Sequence, residues 1–386
     1  MRKKIAILGS TGSIGVSCLD VIERNRDRFE VIGLTANNNI DLLVKQTYRF
    51  CPRVVATANN RLKRELRDQL NDMNITVLGG VDGVIEVAKL ADIDLLVSAI
   101  AGAAGLLPTL TAIRGGKHIA LANKEVLVMA GKLIVNEAKK NNVSILPIDS
   151  EHSAIFQSLK SGSHNEIKKL ILTASGGPFH DYPEKQLAEV TPQQALKHPN
   201  WHMGKKVSVD SATMMNKGLE VMEAHWLFDT PIDKISVMVH PQSIVHSMVE
   251  YCDGSVIAQL GIPDMRIPIS YALSYPERIK NGFPNLDLCE VGTLTFSYPD
   301  YKRFPCLELA YDAARECETM PAVLNAADEV AVNAFLKQRV RFADIPLVIS
   351  RTMSRHSSKS YNTVEEIIEV DRWAREEAEN IINSFA

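Results

Sequence analysis

From residue 4 to residue 149 short apolar runs alternate with helical patterns, and no other feature of the chain constrains its fold as strongly. KIAILG is followed by IGVSCLDVIERN, EVIGLTA by IDLLVKQTYRF, RVVATA by RLKRELRDQL, and TVLGG by DGVIEVAKL. The series continues through DLLVSAIAG, GLLPTLTAI, HIALA, KEVLVMAGKLIVNEAKK and SILPID. Strands separated by helices pair in parallel, because each crossover helix returns the chain to the same end of the sheet. The pattern therefore predicts a Rossmann-like, doubly wound α/β domain over residues 1–149.

Beyond residue 150 the rhythm changes. LILTAS, KVSVDSA, ISVMVHP, HSMVEYCD and GSVIAQLG read as longer strands mixed with a few helices, which predicts an α+β domain over residues 150–275. Six of the 17 prolines fall between 263 and 305, marking residues 276–305 as a connecting region. Residues 306–386 are helical in pattern: Val364, Ile367, Ile368, Asp371, Ala374, Ala378 and Ile381 keep a period near 3.6, with Glu365, Glu366, Glu376, Glu377 and Glu379 mostly on other faces. A chain of 386 residues, 46% of them apolar, has the material for two or three such domains.

The net charge of -3 is spread in short mixed runs, which favours a small-molecule partner over nucleic acid or a membrane surface. Six cysteines stand far apart with no C-x-x-C, pointing to a reducing, cytoplasmic setting and away from a disulfide framework or zinc site. The apolar run of MRKKIAILG ends at Gly9, short of a signal-peptide core, and reads as a first strand. The uncharged run Leu95 to Ile113 approaches a membrane span in length. Gly102, Gly105 and Pro108 in its middle make it a strand, a turn and a helix start instead.

The first strand enters GSTGSIG, with Gly9, Gly12 and Gly15 spaced G-x-x-G-x-x-G ahead of a helix. Glycines there let backbone N–H groups approach a pyrophosphate at the positive end of the helix. A dinucleotide site and a plain tight turn both fit the spacing; its place at the head of the α/β series favours the dinucleotide. The second strand ends TANNN, residues 35–39, without the acid that would bind a ribose 2′-hydroxyl. Three amides in its place tilt the cofactor to NADP, although asparagines also serve turns.

In ILPIDSEHSAIFQSL, Asp149 and Glu151 flank Ser150 where a strand gives way to a helix. Residues two apart on extended chain project to one side, so the pair could bind Mg2+ or Mn2+ through oxygen, but spacing alone favours helix capping by Asp149 or Ser150 with Glu151 in the first turn. VSVDSATMMNKGLEVMEAHWLF reads as strand then helix and places Asn216 and Glu220 at i and i+4 with Lys217 beside them. With Ser211 these residues supply donors for a phosphate and one acid for a metal, or form an ordinary solvated face. ALANKEVL sets Asn123, Lys124 and Glu125 just after a buried strand. The stretch 172–206 is long and punctuated by prolines, carries Ser175, Gly176, Gly177, His198 and Trp201, and has the length of a lid, here 175–205. H-E-x-x-H and G-x-S-x-G are both missing, which argues against a zinc protease and a serine hydrolase. Of ten histidines, His198 stands out by its place in HPNWHMG and His246 by its place in HPQSIVHSMV.

GSTGSIG, LANKE, IDSEHSAIFQ, TASGGPF, HPNWHMG, VDSATMMNKGLE, HPQSIVHSMV and LNAADEVAV occur in that order from residue 9 to 332. Together they closely resemble the 1-deoxy-D-xylulose 5-phosphate reductoisomerase family, NADPH-dependent enzymes of the methylerythritol phosphate route to isoprenoids. The resemblance implies a homodimer acting on a sugar phosphate, with Asp149, Glu151 and Glu220 on one divalent metal. It implies that Lys124 and Ser150 contact substrate, and that Ser175, His198, Ser211, Asn216 and Lys217 hold its phosphate. Trp201 would cover the bound substrate when the loop closes. Thr11, Gly12, Ser13, Ile14, Asn37, Asn38, Asn39, Asn123, Glu125 and Gly204 would contact NADPH. Glu151 and Glu220 are also expected at the substrate, and Lys124, Glu151, His198, Trp201 and His246 are the expected catalytic positions.

The chain departs from that family in two places. Its members often carry a basic residue within the loop that here reads Asn37, Asn38, Asn39, and often asparagine where this chain has Asp328. Two rival readings have distinct signatures. A semialdehyde or hydroxy-acid dehydrogenase would reduce a free aldehyde without rearrangement, yet no cysteine here sits in a nucleophile motif. A non-catalytic NADP sensor would not need Lys124, Asp149, Glu151 and Glu220 together.

Overall fold

The structure is a computed structural model that describes residues 1–198, 201, 203–280 and 282–385. Pro199, Asn200 and His202 of the HPNWHMG motif lie outside the described residues. The chain divides into two compact units. The first comprises Met1–Val126, Ile134–Ser153 and Asp264–Phe283, and the second Leu127–Leu133, Ala154–Pro263 and Pro284–Ala386.

In the first unit β1 (Lys3–Leu8), β2 (Phe29–Ala36), β3 (Val54–Thr57), β4 (Thr76–Gly79), β5 (Leu95–Ser98), β6 (His118–Leu121) and β7 (Ile145–Pro147) form one sheet. Their order is β4-β3-β2-β1-β5-β6-β7, and every pairing is parallel. Helices α1 (Ser13–Glu23), α2 (Ile40–Phe50), α3 (Lys63–Gln69), α4 (Gly80–Ala88), α5 (Leu106–Arg114), α6 (Glu125–Lys140) and α7 (Ser150–Ser158) follow strands β1 to β7 in turn. Ile5, Ala6, Ile7 and Leu8 are all fully buried, as a central parallel strand covered on both faces requires. Because the chain order reverses at β1 and β5, the carboxyl ends of these strands open a crevice, the usual ligand position of such a sheet.

The second unit contains a four-stranded mixed sheet of β8 (Ile167–Ala174), β9 (Ile235–Val239), β10 (Val245–Tyr251) and β11 (Val256–Leu260), in the order β11-β10-β8-β9. Between β8 and β9 run the short helices α8 (Glu184–Leu187) and α9 (Pro192–Ala195), then α10 (Lys205–Thr213) and α11 (Met215–Phe228). After β11 comes α12 (Arg266–Ser274), which belongs to the first unit, and then α13 (Leu288–Val291), α14 (Cys306–Glu316), α15 (Met320–Leu336), α16 (Ile345–Ser354) and α17 (Val364–Asn383). One apolar core joins Leu170, Leu172 and Val237 of the sheet to Leu219 and Met222 of α11 and to Leu307, Val323, Leu324, Ile345 and Ile381 of the C-terminal helices. α17 opens with a capping box between Thr363 and Glu366 and buries Val364, Ile367, Ala374, Ala378 and Ile381 of the face its period predicts, but Ile368, read on the same face, is exposed, because it lies one residue round the helix from Ile367.

KVSVDSA is helical, correcting its reading as a strand. Val207 and Val209 imitate a period of two, but the competing signal is the i, i+4 pair Lys206 and Asp210, whose Nζ and Oδ2 lie 2.6 Å apart on α10. The helix buries Ser208, Val209, Asp210, Ala212 and Thr213, and Met214 ends it in the left-handed region at φ 63°. Burial against neighbouring helices here outweighs β propensity.

α12 returns the chain to the first unit. Lys3 Nζ donates to Leu273 O at 2.7 Å, and Arg266 Nη1 bonds Asp20 Oδ2 at 3.0 Å. The Arg266 guanidinium also lies 4.2 Å from the centroid of the Phe283 ring.

Candidate active site

In the first unit four loops at the carboxyl ends of parallel strands carry the candidate residues. The glycine loop follows β1. Gly9 sits at φ +85°, and a Cβ there would come 2.6 Å from Ala99 O, so both conformation and space exclude a side chain. Gly9 N donates to Thr35 Oγ1 at 3.0 Å, Ser10 N to Thr35 O at 2.8 Å, and Ser10 Oγ to Gln46 Oε1 at 2.7 Å. These bonds hold the loop against β2 and α2. α1 begins behind Gly12 with no side-chain cap, leaving the N–H groups at its start available to an anion. Thr11 and Ile14 are half-buried; Gly12 and Ser13 are exposed.

The second loop, Asn37 to Asn39, is exposed. Asn39 Oδ1 caps α2 by accepting from Leu42 N at 3.2 Å, so the turn role and an exposed amide face coexist. After β6, Asn123 is buried with its amide committed to structure. Nδ2 donates to Gly102 O at 2.9 Å and also to Ile100 O, while Oδ1 accepts from Val126 N at 3.2 Å. Lys124 and Glu125 next to it are buried.

The fourth loop follows β7. Asp149 Oδ2 accepts from Lys124 Nζ at 2.9 Å, and Asp149 Oδ1 accepts from Glu151 N at 3.2 Å and lies 3.3 Å from His152 Nδ1. Ser150 Oγ donates to Glu151 Oε2 at 2.6 Å. Asp149 thus caps α7 with one oxygen and holds Lys124 with the other. His152, fully buried behind the pair, is a neighbour that none of the sequence motifs marks as functional. Its position three residues past Asp149, on the next helical turn, is the signal that could have found it.

In the second unit the candidate residues converge around α10 and α11. Asn216 Nδ2 donates to Glu220 Oε1 at 2.6 Å, and Lys217 Nζ donates to Glu220 Oε2, with Glu220 and Lys217 only 1% and 4% exposed. The i, i+4 geometry read from the sequence is therefore present, and it is buried rather than solvated. Ser175 Oγ bonds His198 Nε2 at 2.9 Å and accepts from Gly177 N at 3.2 Å. Trp201 N donates to His198 Nδ1 at 3.0 Å, which leaves the ring proton on Nε2, directed at Ser175. Burial lowers the pKa of His198 to about 4, so the ring is neutral at pH 7.

Gly177, at φ +70°, packs so tightly on α10 that a Cβ would collide with Ser211 O. This brings the TASGGP turn onto half-buried Ser211. The ring centroids of Trp201 and His246 are 6.4 Å apart. Gly204 is exposed at the start of α10. Asp328, remote by sequence, is fully buried with its Oδ2 3.0 Å from Lys206 Nζ, and it therefore ties α15 to the helix that carries Ser211.

Hard carboxylate oxygens on Asp149, Glu151 and Glu220 suit Mg2+ or Mn2+ by their chemistry. The uncapped glycine loop suits a dinucleotide.

Models of 1-deoxy-D-xylulose 5-phosphate reductoisomerase match residues 5–131, and models of its C-terminal domains match 145–228 and 260–377. A 1-deoxy-D-xylulose 5-phosphate reductoisomerase of Geotalea uraniireducens is 55% identical over 380 residues, covering 98% of either chain. That of Chlorobaculum tepidum is 54% identical over 380 residues, 98% of this chain and 100% of its own. The Zymomonas mobilis enzyme, solved in complex with NADPH, superposes with a TM-score of 0.93 at 42% identity and full coverage of both chains. A DOX-P reductoisomerase in complex with NADPH, fosmidomycin and magnesium also gives 0.93, at 43% identity over 99% of this chain and 98% of that one. The chain belongs to the 1-deoxy-D-xylulose 5-phosphate reductoisomerase family.

Proposed function

We infer that this protein converts 1-deoxy-D-xylulose 5-phosphate to 2-C-methyl-D-erythritol 4-phosphate, by rearrangement and reduction dependent on NADPH and a divalent metal, in isoprenoid precursor biosynthesis. The observation that carries the reading is the cluster of Lys124, Asp149, Ser150 and Glu151 on the same sheet edge as the glycine loop. A sensor that only bound the dinucleotide would have no use for it.

Asp149, Glu151 and Glu220 would hold the metal. When bound, the ion would supply Lewis-acid stabilisation of negative charge on the substrate oxygens, and NADPH would supply the hydride. The remaining work falls to the protein's own groups. Lys124 offsets the charge of Asp149 and, with Ser150, orients the substrate oxygens. Ser175, neutral His198, Ser211, Asn216 and Lys217 supply uncharged and cationic donors for the phosphate. Trp201, hydrogen-bonded through its backbone to His198 and with its ring 6.4 Å from that of His246, would cover the bound substrate and exclude water. Thr11, Gly12, Ser13 and Ile14 receive the pyrophosphate, with Asn37 to Asn39, Asn123, Glu125 and Gly204 completing the NADPH contacts.

In this reading residues 1–149 bind NADPH, 150–275 carry catalysis and dimerisation, 276–305 connect, and 306–386 form the helical C-terminal domain. We propose a homodimer, with β11 as an edge strand of its sheet and Val256 exposed on it. A cytoplasmic setting suits the six free cysteines. Among the described residues no helix is long and apolar enough to cross a membrane. The test is a coupled assay. Purified protein consumes NADPH only when both the deoxyxylulose phosphate and Mg2+ or Mn2+ are present, and oxidation that persists in excess chelator removes the metal from the mechanism.

A further inference from the structure

We propose that Arg61, on the turn after β3, supplies the cation for the 2′-phosphate of NADPH that the loop after β2 lacks, with the amides of Asn38 and Asn59 completing the recognition surface. The inference rests on the NADPH reading of the glycine loop and concerns only how this chain separates NADPH from NADH.

The turns after β2 and β3 are bonded to each other along their length. Ala58 N donates to Ala36 O at 2.8 Å, Thr57 Oγ1 donates to Asn37 O at 2.6 Å, and Asn59 Nδ2 donates to Asn38 Oδ1 at 2.9 Å. Their consequence is directional. With Oδ1 of Asn38 occupied, its Nδ2 is the group left to meet an acceptor, and an amide nitrogen can only donate. Asn59 Oδ1 in turn accepts from Arg61 N at 3.1 Å, anchoring the backbone of Arg61 one link from Asn38.

The cations nearby differ in availability. Arg64 pairs with Asp68 at 3.9 Å. The stem of Lys63 lies against Gly79 of β4, on the far side from β2, where a Cβ on Gly79 would come 2.7 Å from that of Lys63. Arg61 is exposed, and among the described residues no carboxylate pairs with it. Residues 36–40 and 57–64 contain no acid, the first being Asp41 on the exposed face of α2. A dianionic phosphate placed over Asn38 would find outward amide donors there, and Arg61, anchored through Asn59 one hydrogen-bonded residue away, carries the planar fork that recognises such a group.

The test is the dissociation constants of NADPH and NADH for the free, full-length protein, read from cofactor fluorescence without substrate or turnover. Arg61→Gln is expected to weaken NADPH by about tenfold, the scale of one charge-assisted contact, while NADH changes by less than about twofold. Arg61→Lys should retain most of the preference, and Arg64→Gln should leave both constants unchanged. Added salt should weaken NADPH more in the parent than in Arg61→Gln. Equal weakening of both cofactors by Arg61→Gln, or no change in either, overturns the proposal. Parent protein that binds neither cofactor overturns the NADPH reading itself and the inference with it.

Discussion

Lys206→Met is the substitution whose cost follows most directly from the fold. Lys206 Nζ lies 2.6 Å from Asp210 Oδ2 and 3.0 Å from Asp328 Oδ2, and the two carboxylates are 1% and 0% exposed. Removing one partner of a buried ion pair costs about 3–5 kcal/mol, because the opposite charge stays behind without its counterion. At about 2–4 °C per kcal/mol for a unit of this size, the thermal midpoint should fall by roughly 10 °C. The pH dependence supplies a second signature. Burial raises the pKa of Asp328, against the lowering effect of Lys206. A carboxyl whose folded pKa lies above its unfolded value contributes stability at low pH that is lost as pH rises through the folded value. Without Lys206 that value rises further, so the deficit should be larger at pH 8 than at pH 5.5. Lys206→Met/Asp328→Asn should recover a substantial part of it. The assay is thermal unfolding of the three proteins at both pH values. A midpoint for Lys206→Met within about 1 °C of the parent, or a deficit indifferent to pH and to Asp328→Asn, refutes the reasoning.

Glu220→Gln should bind NADPH as the parent does and lose turnover; unchanged turnover removes Glu220 from the site. Lys217→Met should raise the apparent KM for the sugar phosphate by about tenfold or more, the scale of a lost cation–phosphate contact, and an unaltered KM counts against the phosphate assignment. With its pKa lowered to about 4, buried His198 resists a proton that the same ring in solvent accepts near pH 6.5. The proton enters at Nδ1, so the bond that Nδ1 accepts from Trp201 N is complete above pH 6.5 and lost as pH falls through about 4, while Nε2 can still donate to Ser175. In a chain whose Trp226 and Trp373 are replaced by Phe, Trp201 emission should shift to the red across that window, and His198→Gln should abolish the step.

How far the sequence reveals the fold and the site depends on whether the signal is local. β1 to β7 are legible because each strand is a short apolar run bounded by its own turn, and α17 because its apolar period and capping box both lie within it. α10 is not, since Val207 and Val209 carry a strand's signature and only packing against other helices decides the matter. The same division runs through the site. Asn216 and Glu220 are one helical turn apart, so their contact can be read from spacing. The proton direction on His198 requires a backbone N–H at Trp201 and an oxygen at Ser175, and no single window of sequence contains both. Asp149 shows why two local readings need not compete: one carboxylate oxygen caps α7 through Glu151 N, while the other meets Lys124, which follows a different strand. Capping fixes the orientation of the carboxyl group, and a fixed orientation is what a metal ligand needs. The turn that makes Asp149 look structural is therefore part of what makes it suitable for chemistry.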